Sequence, residues 1–120
     1  MPIPNISAVT EMESLEDNSL LFRDVSYTEP AAWFHLTGNA PPKKTALVDS
    51  SPVSFADIEV SREMATSKDG TKVPLNIIRK KGTKLDGNNP VLLYGYGGYG
   101  ISMQPGFDFT RRLWFDRGGV

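Results

Sequence analysis

The spacing of apolar positions changes character along the chain, and each change predicts an element. Residues 19–27, Ser19-Leu20-Leu21-Phe22-Arg23-Asp24-Val25-Ser26-Tyr27, lie between Asp17-Asn18 and Thr28-Glu29-Pro30 and read as a strand. Residues 31–36 form a second, closed by Thr37-Gly38-Asn39, and residues 44–48 a short third beyond Pro41-Pro42. Residues 1–20 carry Glu11, Glu13, Glu16 and Asp17 and read as a solvated acidic loop. Ser50-Ser51-Pro52-Val53-Ser54 is a linker candidate. Beyond it, residues 58–66 alternate moderately and residues 73–80 return as a partner strand. Asp69-Gly70 between them is a hairpin signal, since both residues tolerate the positive φ of a type I′ turn. Pro74 cannot donate to a ladder and points to an edge position or a bulge.

The pattern changes most sharply at residues 89–100. Val91-Leu92-Leu93 has no polar alternation and predicts a strand buried on both faces of a sheet. It runs into Tyr94-Gly95-Tyr96-Gly97-Gly98-Tyr99-Gly100, just past the C-terminal end of that strand. In α/β sheets that edge is where ligands sit. A tyrosine there offers one hydroxyl donor on a rigid, mostly apolar body. Leu113, Trp114 and Arg117 then fall at helical spacing with Gly118 as a C-cap, so residues 110–117 predict a short helix. Gly119-Val120 reads as the start of another strand.

Gly95-x-Gly97-x-x-Gly100 also carries the letters of the dinucleotide fingerprint. That fingerprint needs a helix opening directly after the strand to hold the pyrophosphate. Pro105-Gly106 is a turn signal where the helix should run. A small nucleotide-binding or non-catalytic interaction module using residues 95–100 is therefore the alternative reading, and tyrosines packed as core beside a glycine-rich strand exit the plainest one.

Composition narrows the choice. The chain has 120 residues, 39% hydrophobic and 22% charged, with net charge -1. That balance gives no pull toward nucleic acid or an anionic membrane. Cysteine is absent, which excludes disulfides and thiolate metal sites. No cofactor or metal is called for. No apolar run approaches a membrane span, and Met1-Pro2-Ile3-Pro4-Asn5 has no basic n-region, so no signal peptide is read and the cytoplasm is the expected compartment, with a periplasmic parent left open. The single histidine, His35, sits mid-strand beside Trp33 and Phe34 with no acid or nucleophile at a meaningful spacing, so it reads as structural. Arg79-Lys80-Lys81 with Lys84 reads as a solvated strand end.

Three segments in order and spacing carry a resemblance: residues 67–74, residues 80–87 and residues 93–99. Together they resemble the prolyl oligopeptidase family of serine peptidases, over about half the chain. The first half is a weaker match, similar to the last strands of that family's β-propeller. The resemblance implies a mixed α/β, β-rich fold. Residues 1–55 would be the C-terminal part of a β-propeller with its linker. Residues 56–120 would be the hairpin, strand and helix that begin an α/β-hydrolase sheet, cut short. It implies a parent that cleaves short proline-containing peptides after proline through a Ser-His-Asp triad beyond Val120. No Gly-x-Ser-x-Gly elbow occurs here, so the isolated chain is expected to be inactive. Carried over residue by residue, the second tyrosine of the Tyr-Gly-Tyr-Gly-Gly segment, Tyr96, would donate to the oxyanion. The aromatic after the glycine pair, Tyr99, would line the pocket for the substrate's proline, where the family commonly has phenylalanine.

Overall fold

The computed structural model describes residues 4–120. Strands β2 (Leu20–Ser26), β3 (Ala32–Leu36) and β4 (Lys43–Val48) fall where the alternation predicts them. A strand β1 (Ser7–Ser14) precedes them, and all four pair antiparallel in the order β1-β2-β3-β4. The acidic stretch is thus partly a strand, not a loop. β1 lies at the sheet edge with most of its side chains in water, so no apolar stripe marks it in the sequence. Its register against β2 shifts between Val9 and Glu11. Glutamates and an irregularity on an edge strand also discourage pairing with another chain.

Inside this sheet the even positions of β2 face the core. Phe22 lies opposite Phe34, their rings stacked with centroids 5.6 Å apart, and Ala32 and Leu36 pack with them. Such an aromatic pair contributes about 0.5–1.5 kcal/mol beyond its buried area.

β5 (Ile58–Thr66) and β6 (Lys72–Lys80) form a separate two-stranded hairpin. Its turn differs from the expected type I′. Ser67 N–H bonds to Thr71 O at 2.9 Å and Gly70 N–H to Ser67 O at 3.0 Å, and Gly70, with φ 87°, is the turn residue that takes a positive φ. That is a type I turn closed by a glycine bulge, the usual three-residue hairpin loop. Pro74 pairs with Met64. Counting alternate pairs from the Ser67–Thr71 bond, and from Lys81 N–H to Asp57 O at the other end, puts Pro74 at a non-hydrogen-bonded position. Its missing N–H therefore faces the open edge.

The basic residues at the end of β6 are not a freely solvated cluster. Arg79 bonds Glu59 at 2.8 Å, Lys80 bonds Asp116 at 2.7 Å and Lys81 Nζ donates to Ala56 O at 2.7 Å. Only Lys84 reaches into water, near Asp86.

The helical segment is shorter than expected. A 3₁₀ turn, Phe109–Arg111, leads into α1 (Arg112–Phe115). Asp108 caps it by accepting from Thr110 N–H. Past α1, Gly118 N–H bonds Phe115 O and Gly119 N–H bonds Trp114 O, with Gly118 at φ 76°. This is the Schellman closure that the glycine at this position signals. Phe115 packs on Phe55 and Ile58, with Phe107, Ile78 and Trp114 around them. Phe55 meets Phe107 edge-on at 5.1 Å and Phe115 at 6.0 Å. The end of the linker thereby anchors hairpin and helix to each other.

The four-stranded sheet and the hairpin share no strand pairing. Tyr27 lies at the junction: its hydroxyl accepts from Asn76 Nδ2 at 3.1 Å, and the Arg111 guanidinium sits 5.7 Å from its ring centroid.

Candidate functional site: the tyrosine-glycine loop

Residues 90–92 lie beside Val120. Val120 N–H donates to Pro90 O and Leu92 N–H to Val120 O, each at 2.9 Å. One residue bonding the two flanking residues of its neighbour is the parallel pattern, here centred on Val91 and Val120. The segment between them passes through α1, so the chain returns through a helix to pair in parallel sense with itself at this one point. The indole Nε1–H of Trp114 donates to the same Val120 oxygen at 3.1 Å, tying the helix to the pair.

Residues 91–93 form no regular strand, contrary to the expectation: they share only the two bonds with Val120 and run extended without a sheet around them. Their side chains are not buried. Val91 is 65% exposed, Leu92 70%, Leu93 79% and Tyr94 74%. This overturns the expectation of a strand buried on both faces. An unbroken apolar run reports what a strand is suited to lie between. Within residues 4–120 this segment has a neighbour on one edge and no layer over either face, so no sheet forms around it.

The loop then presents its tyrosines differently. Tyr96 is 48% exposed, and its ring folds back so that the hydroxyl end lies over Gly98. Ile101 N–H bonds Gly98 O at 3.1 Å, closing a turn in which Tyr99 has φ 56° and Gly100 φ 68°. Two consecutive positive φ values make it a type I′ turn. Tyr99 pays for this, since a non-glycine residue there costs roughly 1–2 kcal/mol. Its ring is 97% exposed and held by nothing. Tyr96 is thus the supported side chain and Tyr99 the presented one.

No Asp, Glu, Lys, Arg or His occurs between Asp86 and Asp108. The loop can offer neutral donors and apolar surface, but no charged acid, base or metal ligand. Among the described residues no three His, Cys, Asp or Glu side chains come together to hold a metal ion. No helix follows Gly100 until Phe109, so the context that a pyrophosphate-binding fingerprint requires is missing and the nucleotide alternative falls. A shallow cleft lined by Glu29, Phe55, Lys81 and Phe107 lies elsewhere, under the junction of the two sheets. Among the described residues no helix is long and apolar enough to cross a membrane.

A second polar constellation was missed from sequence. Ser19 Oγ donates to Asp17 Oδ1 at 2.5 Å, and His35 Nε2 lies 2.7 Å from the same Oγ. An acid, a hydroxyl and an imidazole do therefore meet, contrary to the expectation for His35. Their order is wrong for nucleophilic catalysis. In a triad the imidazole stands between acid and hydroxyl and accepts the hydroxyl's proton. Here the serine stands in the middle and gives its proton to the acid, so Nε2 must carry a hydrogen and donate. Ser19 is also almost wholly buried. The hydrogen bond from Ser19 is the main reason that the Asp17 carboxyl titrates below the usual range. The bond between residues 19 and 35 crosses two strands, and no spacing rule in the sequence could have found it. Nearby, Asp24 is buried with Oδ1 unpartnered among the described residues, and burial pushes its carboxyl up.

No family model matches the chain. It is 36% identical over 107 residues to a prolyl endopeptidase of Elizabethkingia meningoseptica, covering 87% of this chain and 15% of that protein. It is 34% identical over 123 residues to an uncharacterised peptidase of Sinorhizobium fredii, covering 100% of this chain and 16% of the relative. Among solved structures, a prolyl endopeptidase superposes with TM-score 0.82 at 34% identity over 98% of this chain, and oligopeptidase B from Leishmania major with TM-score 0.79 at 28% identity over 99%. The chain spans 17% of each of those two structures.

Proposed function

We propose that this chain, which belongs to the prolyl oligopeptidase family, supplies a neutral oxyanion donor, the Tyr96 hydroxyl, to a serine peptidase that cleaves short peptides after proline. The observation that carries the reading is the supported hydroxyl of Tyr96 on an uncharged glycine loop. That loop follows directly on the segment that bonds Val120 in parallel sense. Acyl transfer to serine develops negative charge on the scissile carbonyl oxygen. One preorganised donor aimed at that oxygen is worth roughly 2.7–4 kcal/mol. A neutral tyrosine hydroxyl donates a hydrogen bond to that oxygen and keeps its own proton.

Tyr99, nearly free of contacts, is the residue we assign to lining the pocket for the substrate's proline ring. The triad would come from outside these 120 residues, so the chain alone would not hydrolyse peptides. The four-stranded antiparallel meander supports reading residues 1–55 as propeller, where such sheets are the blades. The parallel-sense pairing of residues 90–92 with Val120 across α1 supports reading residues 56–120 as the start of a hydrolase sheet.

The test is Tyr96→Phe in the full-length enzyme that carries this segment. The ring stays and one hydroxyl goes, so the loss falls on the transition state: kcat drops by about 10²–10³ with KM little changed. An unchanged kcat returns Tyr96 to a packing role.

A further inference from the structure

The glycines flanking and following Tyr96 are not equivalent. Gly100 and Gly118 take positive φ and serve the backbone. A Cβ added at Gly95 or Gly97 would meet nothing within 4 Å. Gly98 differs from all of these. Its φ lies outside the left-handed region, so its backbone does not demand glycine. Yet a Cβ there would stand 3.1 Å from the Tyr96 hydroxyl oxygen, 3.2 Å from Cζ and 3.5 Å from Cε1.

We propose that Gly98 is a positioning residue for Tyr96, a seat whose missing side chain fixes where the hydroxyl stands. The inference rests on the oxyanion-donor reading and extends it to a second residue. Contact falls at the far end of the ring, away from the Cα–Cβ hinge. A methyl group there swings the ring about its χ angles and displaces the hydroxyl more than any other atom. The ring is half-exposed and has room to move outward, so the strain is relieved by displacing the donor and not by unfolding. Productive geometry tolerates only about 0.5 Å and 10–20° of such movement. Contacts of 3.1 and 3.2 Å make the ring give by a few tenths of an ångström, enough to weaken the donor's aim without removing it.

The experiment is a double-mutant cycle in the full-length enzyme: Gly98→Ala, Tyr96→Phe and the pair, with kcat and KM measured on a proline-containing chromogenic peptide and folding followed by thermal melts. Gly98→Ala is expected to lower kcat by about 3–10-fold with KM within about twofold. In the Tyr96→Phe background it is expected to add almost nothing, because the hydroxyl it displaces is gone. A wild-type kcat for Gly98→Ala beside an impaired Tyr96→Phe enzyme overturns the seat and leaves the donor standing. An equal loss in both backgrounds shows that Gly98 acts on something else and overturns it too, as does a Gly98→Ala enzyme that no longer folds. A Tyr96→Phe enzyme with full kcat removes the donor reading and this inference with it.

Discussion

The indole of Trp114 lies directly on the backbone of Gly119, so closely that a Cβ on Gly119 would overlap Nε1, Cε2 and Cδ1. This closeness lets the indole N–H reach Val120 O at 3.1 Å, the oxygen that also takes the Leu92 N–H at 2.9 Å. The helix end thereby holds the segment that leads into the tyrosine loop. Gly119→Ala should force the indole away and cost about 1–3 kcal/mol by overpacking, with the loss of one hydrogen bond adding about 1 kcal/mol. Trp114→Phe should cost less, since it keeps a ring against Gly119. The check is the urea midpoint of each variant; a Gly119→Ala midpoint equal to wild type would show that the indole has a second seat of equal energy.

A four-charge cluster closes the base of the hairpin against the helix. Arg112 grips Asp57 at 2.5 and 3.0 Å and Asp116 at 2.8 Å, and Lys80 reaches Asp116 at 2.7 Å. The hydrogen bonds from Arg112, then from Lys80, hold the Asp116 carboxyl down to about 2, and Arg112 lowers Asp57 as well. A carboxylate with a depressed folded-state pKa stabilises above its ordinary value of 3.8 and loses that contribution as pH falls toward the folded value. Stability from this cluster should therefore be constant above about pH 5 and decline from about pH 4 to pH 2. Asp24 works with the opposite sign, because burial raises its pKa and protonation favours the fold. The informative quantity is the difference between wild type and Asp116→Asn across that window. It should shrink as the pH falls, and a constant difference would remove Asp116 from the account.

Local signals were legible where the chain decides its own structure. Asp69-Gly70 marked the hairpin because a turn is written in adjacent residues, although Gly70 alone takes the positive φ. Gly118 marked the helix end for the same reason. β1 was lost because an edge strand with solvated faces has no apolar stripe to read. The exposure of Val91, Leu92 and Leu93 was lost because burial belongs to the neighbours of a strand and not to its own letters. Of the candidate site, the loop and its two tyrosines stood in the sequence. The seat at Gly98 did not, since it depends on a rotamer of Tyr96.

The Asp17–Ser19–His35 chain invites mistaken assignment, and its hydrogen-bond order predicts how it should behave. Ser19 gives its proton to a carboxylate and is buried, so it should not react as a nucleophile. A fluorophosphonate probe incubated with the 120-residue chain should leave Ser19 unlabelled by peptide mass spectrometry. Ser19→Ala should instead lower stability by about 1 kcal/mol, the scale of one lost hydrogen bond, since exposed Asp17 can turn to water. Stoichiometric labelling of Ser19 would reverse the assignment of donor and acceptor.

The apolar strip at residues 91–94 bears on the chain in isolation. Val91, Leu92, Leu93 and Tyr94 are all well exposed in sequence succession, with no charge among them. The segment they form is bonded to Val120 on one edge, and among the described residues the β5–β6 hairpin leaves both of its own edges free. Short, uncharged apolar segments beside open edges are the usual nucleus of aggregation. The 120-residue chain should therefore scatter light and bind an apolar dye at concentrations of about 10 μM or above. Replacing Leu92 and Leu93 with lysine places two like charges where chains would stack, and should suppress the scattering while leaving the strand far-ultraviolet signal in place. Neither residue contributes to the Phe22 or Phe55 cores, so the fold has nothing to lose by the change. A wild-type chain that stays monomeric and melts in one sharp transition would mean that this strip is covered by the chain's own rearrangement in solution.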